Sequence, residues 1–168
     1  MIVILIICLN IWGCPSKPKP PEKPELTPEQ AAEARRTIVN WLECEECTEG
    51  ELEAVVRLGE LAVPSLSASL LGGPSQASLE ILRRHLVTTY QDLKEYEKTH
   101  PEAKVPTSED EYVKIYLDNY VALYQIRAAK ALAAIGGSEA KKALKESQQL
   151  PLRDDVKAVV VDSLGMQP

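Results

Sequence analysis

The sequence has few of the side chains and loops on which enzyme active sites depend. Its 168 residues include only two histidines, which lie in the unrelated contexts RRHL and KTHP. No Gly-x-Ser-x-Gly, His-Glu-x-x-His or glycine-rich phosphate loop occurs in it. We therefore predict that the protein is not an enzyme, that it has no catalytic residues, and that it uses neither a cofactor nor a metal ion.

Basic residues and long apolar runs are also scarce. The 19 Lys and Arg residues are outnumbered by 25 Asp and Glu residues, so the net charge is −6. An acidic chain lacks the positive surface that binds phosphate backbones, which argues against a nucleic-acid partner. No apolar run reaches the roughly 18 residues that a membrane-spanning helix needs. The apolar fraction of 45% and the charged fraction of 26% are typical of a globular domain.

The first 27 residues differ in composition from the rest of the chain. Residues 1–13, MIVILIICLNIWG, carry no charged side chain and run directly into Cys14. Half of the 12 prolines follow between residues 15 and 28, where they favour an extended polyproline conformation. We predict a signal peptide over residues 1–13 and a semi-rigid linker over 14–27, which reaches about 40 Å at roughly 3.1 Å per residue.

The end of this apolar segment resembles the lipobox of bacterial lipoproteins. Ile11, Gly13 and Cys14 match that pattern, and Trp12 takes the place of its usual small residue. The resemblance implies that Cys14 is lipidated and holds the protein to the inner or outer membrane, with its domain in the periplasm or outside the cell. The alternatives are an ordinary cleaved signal peptide and an uncleaved anchor with a free Cys14.

The remainder of the chain has the periodicity of helices. Apolar residues recur at spacings of three and four, and no segment alternates with period two for long enough to predict a strand. Thr27, Thr48 and Ser108 each precede a Gln or Glu by three positions, which is the pattern of a capping box at a helix start. We therefore predict an all-α domain over residues 28–168. Its helices are expected over 28–45, 49–60, 64–71, 76–98, 109–135, 139–147 and 153–164.

One short pattern, two aliphatic residues three positions apart followed by glycine, occurs three times. The copies end at Gly59, Gly136 and Gly165, and glycine suits the left-handed turn that ends a helix. A second, shorter helix follows the first two copies, and repeated helix pairs of this kind are typical of an α-solenoid. Because two long helices interrupt the repeats between residues 73 and 124, we predict a short irregular α-solenoid or helical bundle.

The segments that carry this pattern resemble HEAT repeats of the short bacterial kind. They read RLGELAVPSLSASL at 57–70, QIRAAKALAAIGGSEAKKALKES at 125–147 and RDDVKAVVVDSLG at 153–165. The resemblance implies HEAT-like helix pairs that act as a protein-interaction module or scaffold, with a protein partner that the sequence does not identify. Some short HEAT-repeat proteins are bilin lyases, so a chromophore-binding function is the alternative that the resemblance implies.

Two cysteines at a spacing of three residues form a further candidate site. Cys44 and Cys47 are able to form a disulfide or to supply half of a zinc site. Neighbouring glutamates disfavour thiolates, which argues against a catalytic redox pair. An oxidising compartment favours a structural disulfide. A disulfide, ordinary thiols, a metal site and a redox pair remain the alternatives.

A row of tyrosines lies on the helix predicted over 109–135. Tyr112, Tyr116, Tyr120 and Tyr124 recur every four residues, so the row drifts by about 40° per step around the helix. Part of the row is therefore expected to face the core, with packing against the helix over 76–98 as one role. The alternative is an aromatic ridge that binds a protein partner, since tyrosine is favoured at interfaces.

Overall fold

The computed structural model describes residues 27–165, and all regular structure in this range is helical. The predicted all-α fold is confirmed, and each helix begins and ends within two residues of the predicted position. The predicted signal peptide and almost all of the linker lie outside the described residues. The helices are α1 (Pro28–Glu43), α2 (Glu49–Leu58), α3 (Val63–Gly72), α4 (Gln76–Thr99), α5 (Glu109–Ile135), α6 (Gly137–Ser147) and α7 (Asp154–Gly165).

Side-chain caps explain where several helices begin. At α1, the Gln30 amide donates to Thr27 Oγ1 at 3.2 Å, and the Thr27 amide donates to Gln30 Oε1 at 3.0 Å. These reciprocal bonds satisfy two amides that the first helical turn leaves free. At α4, which follows the Gly-Gly-Pro sequence, the Ser78 amide donates to Ser75 Oγ at 3.1 Å. Local sequence therefore determines these helix starts.

Glycine forms the corner between α5 and α6. Gly136 has φ 70° and ψ −163°, a conformation that residues with a Cβ rarely adopt. Its amide donates to the Leu132 carbonyl at 3.0 Å, which satisfies one of the free carbonyls at the end of α5. The chain then turns directly into α6, which begins at the next residue.

The central helix of the bundle is α5. It contacts α1, α2, α3, α4, α6 and α7. Small side chains make this possible, since Ala128, Ala129 and Ala131 are fully buried and let neighbouring helices approach closely. The largest fully buried side chains of the surrounding helices are Val55, Leu66, Leu70, Leu144, Val156 and Val160.

The first half of α5 has a separate, smaller core with α4. Leu86 of α4 packs there with Val113 and Leu117 of α5. The Tyr90 hydroxyl donates to the Thr107 carbonyl at 2.8 Å and ties the intervening loop to α4. The α4–α5 hairpin therefore has its own small core beside the main bundle, and many side chains on both of its helices are exposed.

Within residues 27–165, no single helix is both long and apolar enough to cross a bilayer. The required length and composition are reached only by two consecutive segments taken together, Glu49–Leu61 and Val63–Gly72. The chain bends by 108° between these two segments. Val55, Leu66 and Leu70 of this pair are fully buried in the main core.

Candidate functional site

The end of α1 is joined to the middle of α5 by two buried hydrogen bonds. The Trp41 indole donates through Nε1 to the Arg127 carbonyl at 3.0 Å. The Arg127 guanidinium donates through Nη1 to the Leu42 carbonyl at 2.8 Å. A cation at a helix C-terminus is favourable because the last carbonyls are unpaired and carry partial negative charge. Burial lowers the pKa of Arg127, but its hydrogen bond keeps the buried group satisfied.

Glu43 extends this junction with its carboxylate. The Tyr124 hydroxyl donates to Glu43 Oε1 at 2.7 Å, and the Tyr120 hydroxyl donates to the same oxygen at 3.3 Å. The pKa of Tyr124 is raised, first by burial and then by its hydrogen bond to Glu43. The pKa of Tyr120 is raised by burial and by the nearby negative charge of Glu43. Both phenols therefore stay protonated and serve as donors.

Cys44 and Cys47 follow Glu43 directly and are joined by a disulfide in the structure, with Cα atoms 5.3 Å apart. Cys44 is half-buried against the main core, whereas Cys47 is exposed. The bond closes the corner between α1 and α2, beside the junction with α5. Across residues 27–165, no three His, Cys, Asp or Glu side chains converge on a point where they would hold a metal ion.

The structure spreads the four tyrosines of the row over different surroundings. Tyr112 packs on Tyr90 of α4 at a ring separation of 5.4 Å, and Tyr116 is 48% exposed. Tyr120 is half-buried, and Tyr124 is only 6% exposed in the main core. The row thus turns from the outer surface into the core because a four-residue spacing drifts around the helix. Cys14, the predicted lipidation site, lies outside the described residues.

A different set of side chains follows the outer face of α5 along its length. The spacing between them alternates between four and three residues, which keeps them on one face of the helix. None of them is fully buried, and Tyr116 and Leu123 are 48% and 40% exposed. We call this set the seam. It consists of Tyr112, Tyr116, Asn119, Leu123, Ile126, Lys130 and Ala133.

The sequence reasoning missed the seam because it followed the tyrosines, which leave this face after Tyr116. A spacing of alternately four and three residues keeps side chains on one face of a helix. Because Asn119 and Lys130 are polar, the set does not form the apolar repeat that marks a helix contact in a sequence. Ile115, which is 45% exposed, lies next to the seam and widens its apolar surface.

An apolar trough lies at the C-terminal end of the seam. Its floor is formed by Ala133 and Ala134 of α5, and its walls by Leu52 of α2 and Val159 of α7. The trough has a volume of about 510 Å³. Lys130, Asp162 and Ser163 complete its lining. The small alanine side chains between the larger Leu52 and Val159 leave an open apolar depression between α2, α5 and α7.

The flank of the seam is formed by the beginning of α7. Arg153 donates through Nη1 to Asn119 Oδ1 at 2.7 Å, and its other nitrogens bind the Asp155 carboxylate at 3.1 and 2.6 Å. The pKa of Asp155 is lowered by this pairing with Arg153. Asn119 is thus fixed in place beside one positive and one negative side chain.

Known proteins give no guide to how this surface is used. Comparisons with protein-family models, curated proteins and solved structures find no match to the chain. The resemblances to bacterial lipoproteins and to HEAT repeats therefore stay predictions. An assignment of function has to rest on the geometry of the described helices.

Proposed function

We propose that the chain is an exported, lipid-anchored protein-interaction module of HEAT-like helix pairs, and that the outer face of α5 is its binding surface. The exposed apolar side chains on that face carry the proposal. Ile115, Tyr116 and Leu123 are 40–48% exposed on one helix. Exposed apolar side chains grouped on one side of a helix are typical of a site of protein interaction.

The type of side chain also supports binding. Tyr116 presents a rigid aromatic ring, and tyrosine is enriched among the residues that dominate binding energy at interfaces. The ring is held in place by Tyr112, whose ring centroid lies 4.6 Å away. An exposed ring that is already ordered loses little conformational freedom when a partner covers it.

The proposed anchor rests on the sequence of the N-terminal segment. Lipid on Cys14 would supply the membrane affinity, because each buried methylene contributes about 0.8 kcal/mol and two or three acyl chains bind far longer than one. The proline-rich linker would hold the helical domain up to about 40 Å from the bilayer. The exposed face of α5 would then be free to meet a partner in the cell envelope.

Site-specific photo-crosslinking tests the binding surface. A photo-reactive phenylalanine derivative replaces Tyr116 in cells, and the same residue replaces Tyr96 as a control. Tyr96 is a matched site because it is 52% exposed but lies on α4. We expect a covalent adduct from position 116 and none from position 96. Equal adduct yields at the two positions, or none at either, would contradict the proposed surface.

Metabolic labelling with palmitate tests the anchor. We expect label on the wild-type chain and its loss in Cys14→Ser. Absence of label from the wild type, or equal label on the two proteins, would contradict the lipid anchor. The binding surface would still be tested separately by the crosslinks.

A further inference from the structure

We infer that the Cys44–Cys47 disulfide is a thiol–disulfide exchange site, which a dithiol of neutral or positive charge reduces while the helices stay folded. The cysteine pair acts in this reaction as the acceptor of electrons and not as a catalyst. The inference goes beyond the proposed function, because it concerns the corner between α1 and α2 and not the outer face of α5. It rests on the access to one sulfur, on the contacts that hold the corner without the bond, and on the charges around it.

One of the two sulfurs is open to attack from solvent. Cys47 is exposed, whereas Cys44 is half-buried and packs against the main core. Exchange requires a thiolate to reach a disulfide sulfur, and exposed disulfides are the labile ones. An incoming thiolate therefore reacts with Cys47 Sγ and releases the sulfur of Cys44.

The end of α1 is held in place without the bond. Trp41 and Leu42 are hydrogen-bonded to Arg127 of α5, through the indole and the Leu42 carbonyl. The carboxylate of Glu43, the last residue of α1, accepts a hydrogen bond from the Tyr124 hydroxyl at 2.7 Å. These contacts with α5 fix the last turn of α1 whether or not the two sulfurs are joined.

The start of α2 is likewise held by its own contacts. The Thr48 amide donates to Glu51 Oε2 at 2.7 Å, as in a capping box. Further along the helix, Val55 is fully buried in the main core. The position of α2 therefore does not depend on the disulfide.

The bond itself restricts only a short piece of chain. Cys44 and Cys47 are three positions apart, so their bond closes a very short loop. A disulfide restricts the unfolded chain least when its loop is short. Reduction should therefore loosen residues 44–47 and leave both helices folded, which gives the corner two covalent states within one fold.

The reaction balances as a two-electron exchange. One thiolate of the dithiol attacks Cys47 Sγ and forms a mixed disulfide, while the bond between the two cysteine sulfurs breaks. Cys44 leaves as a thiolate and takes a proton from water. Its sulfur lies 3.1 Å from the Trp41 carbonyl oxygen, so the new thiol has an acceptor at the end of α1. The second thiolate of the dithiol then attacks the dithiol's own sulfur in the mixed disulfide, which oxidises the dithiol and releases Cys47 to take up a proton.

The charges around Cys47 select the thiol that reacts. Exposed carboxylates lie within two positions of it, on Glu45, Glu46 and Glu49. Arg127 is bound at this end of α1, but it is only 8% exposed and so does not face an incoming thiol. An anionic thiol is therefore repelled from the exposed sulfur, whereas a neutral or cationic thiol is not.

Reduction of the full chain tests whether the bond is an exchange site. The protein carries Cys8→Ser and Cys14→Ser, so that Cys44 and Cys47 are its only cysteines, and we call it the parent. Dithiothreitol, a neutral dithiol, is added in nonionic detergent without denaturant, and free thiols are then blocked and located by mass spectrometry. We expect both cysteines to be blocked and the circular dichroism of the helices to be unchanged. A bond that resists reduction until the chain is denatured, or a loss of helical signal on reduction, would overturn the inference.

The point of attack is determined with cysteamine, a monothiol. After a short reaction with the parent, free thiols are blocked, and the mixed disulfide is located by digestion and mass spectrometry. We expect cysteamine on Cys47 and the blocking group on Cys44. The reverse pattern would show that Cys44 is the residue attacked and would overturn the assignment.

Hydrogen exchange of the oxidised and reduced parent shows which residues respond. Amides of residues 44–48 should exchange faster after reduction, whereas those of α1 and α2 should be unchanged. Cys44→Ser/Cys47→Ser should match the reduced form. Faster exchange throughout α1 or α2 would show that the bond holds these helices in place, and would contradict the account.

Variants of the parent test selection by charge. For each protein, the rate of reduction by cysteamine, a cation, is divided by the rate with 2-mercaptoethanesulfonate, an anion. At about 10 mM salt this ratio should be about tenfold higher in the parent than in Glu45→Gln/Glu46→Gln, and the difference should shrink at about 0.5 M salt, which screens exposed charges. Glu29→Gln/Glu33→Gln, near the start of α1, is the matched control and should keep the ratio of the parent. Equal ratios in the parent and Glu45→Gln/Glu46→Gln would contradict selection by charge.

Discussion

Glu43 joins the end of α1 to the middle of α5 at the level of single residues. Its carboxylate accepts hydrogen bonds from both Tyr120 and Tyr124. Arg127 and Trp41 add two hydrogen bonds between the same helices. Together these contacts hold α5 against the end of α1. They therefore determine which face of α5, the seam, points away from α1.

Removal of the Tyr124 hydroxyl should weaken this junction. Tyr124→Phe loses a hydrogen bond to a carboxylate, so we expect the free energy of unfolding to fall by about 1–3 kcal/mol at pH 7. Chemical denaturation of the wild type and the variant measures the difference. Tyr96→Phe, which removes an exposed hydroxyl on α4, is the control and should change the stability little.

The stabilities of the wild type and Tyr124→Phe should also depend differently on pH. Because folding raises the pKa of Tyr124, the unfolded chain loses the phenolic proton first once the pH passes about 10. Unfolding then becomes more favourable as pH rises, so the contribution of Tyr124 is complete below about pH 10 and declines above it. The difference in free energy of unfolding between the wild type and Tyr124→Phe should therefore shrink between about pH 10 and 11. A constant difference over that range would contradict this account of the junction.

Sequence alone predicts the local contacts and misses this junction for a physical reason. The cap at Thr27 depends on a residue three positions away, so its pattern is visible in the sequence. Tyr124 and Glu43 are 81 residues apart in sequence. Their pairing depends on how α1 packs on α5, and no local pattern encodes that arrangement.

At the scale of helices and corners, glycine determines where α5 ends. Gly136 and Gly72 both have open space where a Cβ would lie, but only Gly136 has a positive φ. A side chain at position 136 would therefore lower the free energy of unfolding through the strained backbone conformation, and not through a steric clash. Gly136→Ala should lower the free energy of unfolding by about 1–3 kcal/mol, since its φ and ψ suit only glycine.

The control for this prediction is Gly72→Ala, at the end of α3. Alanine is favoured over glycine in a helix, so we expect no loss and a gain of up to about 1 kcal/mol. Thermal unfolding of the two variants measures the contrast. If both substitutions lowered the stability equally, the corner would not depend on the conformation of Gly136.

The helices themselves were predictable because their signals are local. Spacings of three and four, capping residues and the Gly and Pro breaks placed all seven within two residues. The surroundings of α5 were harder to predict. The four-residue spacing of its tyrosines indicates that part of the row leaves the core, but the sequence does not show which helices cover each face.

At the scale of the whole molecule, α5 is both the centre of the core and the candidate binding surface. Alanines on its inner side let six helices pack around it. Tyr116 and Leu123 on its outer side remain exposed. The helices of residues 27–165 thus form a bundle with the outer face of α5 exposed, and the proposed function requires that a partner covers this face in the cell.

Thiol labelling in membranes tests that claim most directly. Leu123→Cys reports on the seam, and Ile81→Cys, at an exposed site on α4, is the control. Cys44 and Cys47 are already joined in a disulfide and so do not react, and any label on Cys8 or Cys14 is measured on the wild-type chain and subtracted. Each variant is labelled with a membrane-permeant maleimide in intact membranes and again as dilute purified protein.

If a partner covers the seam in nine of ten molecules, Leu123→Cys should react about tenfold more slowly in membranes than in dilution. Ile81→Cys should react at the same rate in both preparations. Equal rates for Leu123→Cys in membranes and in dilution would show that the outer face of α5 is uncovered in the cell, and would contradict the account.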